Sequence, residues 1–148
     1  MSKTKEKSRI SGRGKEELLV VLKEAQNRLG HLSGDFLVEI ASSLDLPVSE
    51  VYGVASFYSF LATRPQGRNI IRICKSVPCF LQNSESIIEI ITKELGIKPG
   101  ETTADGRYSF ELTNCIGACD RAPAMMINCD VHGDLSPEKI SQILEEYE

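Results

Sequence analysis

Cys74-Lys-Ser-Val-Pro-Cys79 and Cys115-Ile-Gly-Ala-Cys119 hold four of the five cysteines of this 148-residue chain, and thirty-five residues separate the two pairs. A soft-metal centre needs several thiolates at one point, and spacings of three or four residues let each segment bend two ligands toward it without straining the backbone. A 2Fe-2S centre takes two cysteine thiolates at each iron and leaves no open position, which is the chemistry of an electron carrier. The same four cysteines can close around a structural zinc, although zinc knuckles more often use a two-residue spacing. They can also form two disulfides, which a reducing compartment disfavours and which leaves Cys129 unpaired. No Cys-x-x-Cys occurs, so a dithiol exchange reaction has no motif here.

Both pairs hang from the ends of predicted strands. Asn69-Ile-Ile-Arg-Ile-Cys74 is a short isoleucine-rich strand that delivers Cys74, with Cys79 in the loop beyond it. Tyr108, Phe110 and Leu112 alternate with polar neighbours as a second strand, which ends at Asn114 and delivers Cys115. As neighbours in one sheet, these strands would bring the two loops together. Between them Ser84 to Leu95 predicts a helix, with Ser84 as N-cap, Ile87, Ile88, Ile91 and Leu95 on one face, and Gly96 as the stop. Beyond Cys119, Ala124 to Cys129 predicts a further strand and Asp130 to Leu135 a turn centred on Gly133. Ser136-Pro137 then opens a last helix carrying Ile140, Ile143, Leu144 and Tyr147 on one side. The order strand, helix, strand, strand, helix predicts an α/β domain over residues 66-148.

The N-terminal half reads differently. Residues 1-14 are rich in Lys, Ser and Gly and predict a flexible arm, and residues 15-65 predict a small helical bundle. Leu18, Leu22, Ala25 and Leu29 recur at the helical period before Gly30, and Phe36, Ile40 and Leu44 mark a second helix from Gly34. Pro47 starts a third, Val48 to Phe60, which is apolar on more than one side through Val54, Phe57, Tyr58 and Phe60. Such a helix wedges against something beyond its own bundle: the second domain or a partner subunit. Ala62-Thr-Arg-Pro-Gln-Gly67 marks the boundary.

Composition bounds the rest. At 41% hydrophobic and 26% charged residues the chain reads as a soluble globular protein, and no apolar run approaches the roughly 20 residues that span a bilayer. The basic first residues lead into no apolar segment, so the expected location is cytoplasmic, without direct membrane insertion. The net charge of -4 is uneven, with six Lys/Arg in residues 1-15 and ten Asp/Glu in residues 101-148. That asymmetry could orient a docking partner, but no basic face with aromatic platforms marks a nucleic-acid site. His31 falls in a turn as a surface or capping residue; His132 lies in a turn near Cys129, where a Cys129/His132 metal pair would add ligands to a set already complete; Met125-Met126 reads as core, and Cys129 as a buried, inert thiol.

Cys74-x4-Cys79, followed by Cys115-Ile-Gly-Ala-Cys119-Asp-Arg-Ala-Pro123-Ala-Met-Met-Ile-Asn128, resembles the thioredoxin-like 2Fe-2S subunit of NADH:quinone oxidoreductase (complex I). Relatives of that subunit occur in NAD(P)-linked, including electron-bifurcating, hydrogenases and in NAD-linked formate dehydrogenases. Leu46-Pro-Val-Ser-Glu-Val-Tyr-Gly-Val-Ala-Ser-Phe-Tyr58 is similar to the helical segment of the same family, so the likeness covers nearly the whole chain after the arm. The resemblance implies that Cys74, Cys79, Cys115 and Cys119 ligate one 2Fe-2S cluster and that the second domain is thioredoxin-like. It implies a partner subunit holding FMN and the NAD(P)H site, together with further iron-sulfur or hydrogenase subunits. No Gly-rich dinucleotide fingerprint occurs in this chain. The expected role is a non-catalytic electron-transfer subunit, first of a soluble hydrogenase complex, alternatively of complex I or a formate dehydrogenase. A zinc-stabilised scaffold is the rival from another class. Where thioredoxin-like folds keep a cis proline, this chain has Pro123, so a cis Ala122-Pro123 bond is expected.

Overall fold

The computed structural model describes residues 15–147. The arm expected over residues 1-14 lies outside the described residues. The chain divides into two compact units, with the break between Pro65 and Gln66.

The first unit is helical. A 3-10 turn, Lys15–Glu17, leads into α1 (Leu18–Leu29), followed by α2 (Gly34–Leu44) and α3 (Val48–Phe57). Local chemistry sets their ends. Gly30 takes the left-handed φ of 79° that stops α1, and the Ser33 hydroxyl caps α2 by accepting from the Phe36 N–H. Leu22, Leu37, Ile40 and Val51, all fully buried, form the centre of this unit's core. The Gln26 side chain fastens the returning chain: its amide donates to the Phe60 carbonyl and its carbonyl accepts from the Ala62 N–H. The third helix stops at Phe57, three residues short of the Phe60 expected from its apolar run. Beyond Phe57 the chain turns back to Gln26, so apolar composition there reflects aromatic exposure rather than continued helix.

The second unit is a four-stranded sheet with helices. Its elements are β1 (Asn69–Cys74), α4 (Val77–Leu81), α5 (Ser84–Leu95), β2 (Tyr108–Thr113), β3 (Met125–Ile127), β4 (Asp130–His132) and α6 (Pro137–Glu146). The spatial order is β2-β1-β3-β4, with β1 and β2 parallel and the other pairs antiparallel. Strand alternation sends Ile71, Ile73, Phe110, Met125 and Ile127 to one face, where they pack with Ile87 and Ile91 of α5 and Ile140 and Leu144 of α6. The Tyr108 hydroxyl, buried in the same core, donates to the Leu144 carbonyl at 2.8 Å and ties α6 to β2.

Four local expectations change. Cys79 lies in the short helix α4 rather than a loop; five residues are too few to show helical periodicity. The N-cap of α5 is Asn83, in the left-handed region at φ 64°, and Ser84 is buried inside the helix. Residues Asp130–His132 form the edge strand β4 instead of a turn, because a three-residue edge strand is too short to carry much sequence signal. The turn falls earlier, at Asn128 and Cys129, where Asn128 has φ 55° and its side-chain carbonyl accepts from the Ile70 N–H at 2.9 Å.

Candidate metal centre

The ladder between β1 and β2 ends on the pair Cys74 and Thr113. The Lys75 N–H continues it by donating to the Thr113 carbonyl at 2.9 Å, and the Cys74 N–H reaches the Ala124 carbonyl at 3.3 Å. Three segments therefore converge on one end of the sheet: the turn into α4, the Cys115 loop, and the stretch after Pro123. The Ala122-Pro123 bond is cis, as expected from the sequence.

Cys74 and Cys79 are each 1% exposed and pack with Ala124, Ile116, Ala118 and Ala122. Cys115 and Cys119 are exposed, with their sulfurs 3.3 Å apart. Gly117 shapes the loop between them: at φ 85° it takes a conformation that a side chain would strain, and its N–H points at the Cys115 sulfur at 3.4 Å. Cys129 is exposed at its hairpin turn, away from the buried position expected for it. A two-residue turn has no interior to bury a side chain. Among the described residues all five cysteines are free, so neither pair is a disulfide.

Electrostatics link the four thiols. Burial pushes the Cys74 thiol up, but the main-chain donor of Ser76, the Cys79 thiol, the Ser76 hydroxyl and the main-chain donor of Ile116 together outweigh it and hold it below the ordinary thiol value. Cys79 is raised, by burial first and then by its contact with Cys74 and the charges of Cys74 and Cys119, against a lowering hydrogen bond from the Ala124 main chain. Cys119 is raised, first by its hydrogen bond with Cys115, then by partial burial and the charges of Cys115, Cys74 and Asp120. Mutual repulsion of thiolates is what a bound cation would relieve.

Among the described residues no three of His, Cys, Asp and Glu gather into a group able to hold a metal ion. The thiols stand instead as two neighbouring pairs, Cys74 with Cys79 and Cys115 with Cys119. A two-iron cluster would suit this division, since each iron takes two thiolates. The donor set fits such a cluster: four soft ligands, with main-chain N–H groups of Ser76, Ile116, Gly117 and Ala124 aimed at sulfur. The sequence points to the four cysteines. It does not single out Ser76, Ile116 or Ala124, because a main-chain contribution leaves no trace in residue type.

A thioredoxin-like sheet with cysteine pairs on adjoining loops is the arrangement of a small ferredoxin-class protein. The chain belongs to the thioredoxin-like 2Fe-2S ferredoxin family, which it matches over residues 3–148. It is 44% identical over 126 residues to the E subunit of the NADH-quinone oxidoreductase of Pseudomonas aeruginosa, covering 85% of this chain and 76% of that protein. The corresponding NADH-quinone oxidoreductase protein of Escherichia coli strain K12 is equally similar, at 44% over 126 residues and the same 85% and 76% coverage. The NADP-reducing hydrogenase subunit HndA of Solidesulfovibrio fructosivorans is 34% identical over 130 residues, covering 88% of this chain and 76% of HndA. Among solved structures, a chain of an air-oxidized NAD+-reducing NiFe-hydrogenase matches with a TM-score of 0.77 and 29% identity over 88% of this chain. This chain spans only 22% of that hydrogenase chain.

Proposed function

We propose that this chain is the electron-transfer subunit of a multi-subunit, NAD(P)H-linked flavin complex, with Cys74, Cys79, Cys115 and Cys119 as ligands of one 2Fe-2S cluster. The carrying observation is the placement of four thiols, as two pairs, at and just beyond the same end of β1 and β2. When bound, the cluster supplies one-electron transfer and no site for a substrate. Cys74 and Cys79 would hold the cluster from within the apolar packing of Ala124 and Ile116, which limits water there, and Cys115 and Cys119 would hold it from the exposed side.

FMN and the NAD(P)H site belong, in this reading, to a partner subunit. The relatives named as subunits of larger oxidoreductases support it, as does the match to one part of a much longer hydrogenase chain. In the helical unit, Tyr52, Phe57, Tyr58 and Phe60 are exposed, Phe57 at 79%, with the Phe57 and Tyr58 rings edge to face at 5.1 Å. Near the thiols, Val77, Phe80 and Leu81 are exposed as well. Aromatic and aliphatic groups of this kind form the core of a protein interface. Among the described residues no helix is long and apolar enough to cross a membrane.

Two parent complexes have support. The hydrogenase reading draws on the solved NiFe-hydrogenase and on HndA; the quinone-oxidoreductase reading draws on the higher identity to the NADH-quinone oxidoreductase relatives. Anaerobic purification with iron, sulfide and zinc analysis tests the cluster: two irons per chain with visible charge-transfer absorption are expected. Zinc without iron would establish the structural-scaffold reading instead. Co-purification from the native host, followed by hydrogen, formate and quinone assays, separates the parent complexes.

A further inference from the structure

Arg72 interrupts an isoleucine strand. Its neighbours Ile71 and Ile73 enter the core beneath α5 and α6, so strand alternation places Arg72 and Cys74 together on the opposite face. The Arg72 side chain is only 5% exposed, and arginine is seldom so buried without a charge partner. The partner is Glu111, directly across the ladder on β2: the Arg72 Nε donates to its Oε2 at 3.1 Å. The other carboxylate oxygen, Oε1, accepts from the Gln66 amide. The next residues along this face are Cys74 on β1 and Thr113 on β2, the last rung before both cysteine loops.

We propose that Arg72 and Glu111 set the reduction potential of the metal centre, an inference that rests on the 2Fe-2S reading above. Two strand steps place the Cα of Arg72 about 6.6 Å from that of Cys74. With so little water around Arg72, a fixed charge on this face of the sheet is weakly screened. The two ends of the pair are unequally screened: the Glu111 side chain is 28% exposed against 5% for Arg72. Water therefore damps the negative end of this pair more than the positive one. A one-electron reduction, with the electron supplied by reduced flavin in the complex or by a chemical reductant in a titration, adds one negative charge. Arg72 favours that added charge, and Glu111 opposes it.

Removing one partner of a buried ion pair destabilises the fold, because the other charge is left uncompensated. A role in folding alone therefore predicts stability changes in Arg72 and Glu111 variants without movement of the potential in opposite directions.

The test uses the full chain, loaded anaerobically, with a spectroscopically monitored redox titration and an iron-to-protein ratio for each variant. Arg72→Gln is expected to lower the potential, by about tenfold in the one-electron equilibrium, which is about 59 mV for such a couple. Glu111→Gln is expected to raise it by a smaller amount, and Arg72→Lys to stay near the wild-type value. If Arg72→Gln fails to hold iron, the upward shift in Glu111→Gln with an unmoved Arg72→Lys supports the proposal. Unmoved potentials in iron-replete Arg72→Gln and Glu111→Gln, or shifts in the same direction in both, overturn it while leaving the cluster intact. A wild-type protein without iron overturns the cluster reading itself, and this proposal with it.

Discussion

Cys74 and Thr113 are partners on the last rung of the parallel ladder between β1 and β2, and Cys115 follows Thr113 by two residues. This register makes neighbours of two cysteine loops that lie far apart along the chain. A slip of one residue would turn the side chains of one strand to the opposite face and separate the thiols. Serine at Cys74, Cys79, Cys115 or Cys119 should therefore lose most of the bound iron or alter its spectrum. Cys129→Ser, altering only an exposed hairpin turn, should keep the full wild-type iron content. Iron analysis with visible absorption distinguishes these outcomes, and loss of iron in Cys129→Ser would refute the ligand assignment.

Gly133 backs the second cysteine pair. A Cβ built there would lie 2.5 Å from the Arg121 Cβ and 2.8 Å from the Arg121 carbonyl oxygen. Arg121 ends the 3-10 turn that begins at Cys119, and its carbonyl accepts from the Asp134 N–H at 2.7 Å. Gly133→Ala should cost about 1–3 kcal/mol through overpacking. Because the displaced segment includes Cys119, iron should also be lost faster to a chelator than from wild type. Denaturant melts and chelation rates read the two effects separately.

The Tyr108 hydroxyl and the Leu144 carbonyl form a buried bond between β2 and α6. Tyr108→Phe keeps the ring and removes the donor, leaving that carbonyl with the Tyr147 N–H at 3.2 Å. A loss of about 0.5–1.5 kcal/mol is expected in equilibrium unfolding, with the iron content unchanged. Phe110→Ala, at a fully buried core position, should cost more, about 3–5 kcal/mol.

Tyr147 ties the C-terminal end of the chain to the edge strand. Its hydroxyl donates to Asp130 Oδ2 at 2.9 Å and lies 3.1 Å from His132 Nε2. Burial first, then donation to Asp130 and the negative charges of Asp130 and Glu146, push its pKa from 10.0 up to about 12. Because the folded value is the higher one, the neutral phenol stabilises the fold fully below about pH 10. That contribution fades as the pH rises toward about 12. Tyr147→Phe should flatten the stability profile between those limits and lower stability modestly at neutral pH. A profile as steep as wild type over that alkaline range would contradict this role.

The sheet-and-helix order and the four thiol positions are legible in the sequence because they rest on short-range chemistry. The α1, α2, α5 and α6 faces repeat every three or four residues, Gly30 and Gly96 stop helices by taking positive φ, and Ser136 caps α6 through the Lys139 N–H. The short elements are less legible. The five residues of α4 and the three of β4 exist because the strands and the cysteine loops around them supply their partners. Cys129 reads as buried because it follows an apolar run, yet Asn128 turns the chain one residue earlier and leaves it in solvent.

By itself the sequence determined which side chains could hold a soft metal, since thiolate chemistry belongs to the residue and its spacing to the local loop. It also determined the helical and strand periods, since each is set by neighbours within a few residues. Only the tertiary structure decided which thiols meet, because strand register is a long-range choice made by burying Ile71, Ile73, Phe110 and Met125 on one face. It alone also decided that Arg72 lies buried beside Glu111 on the face of Cys74, because a charge in a strand has no environment until the neighbouring strand supplies one.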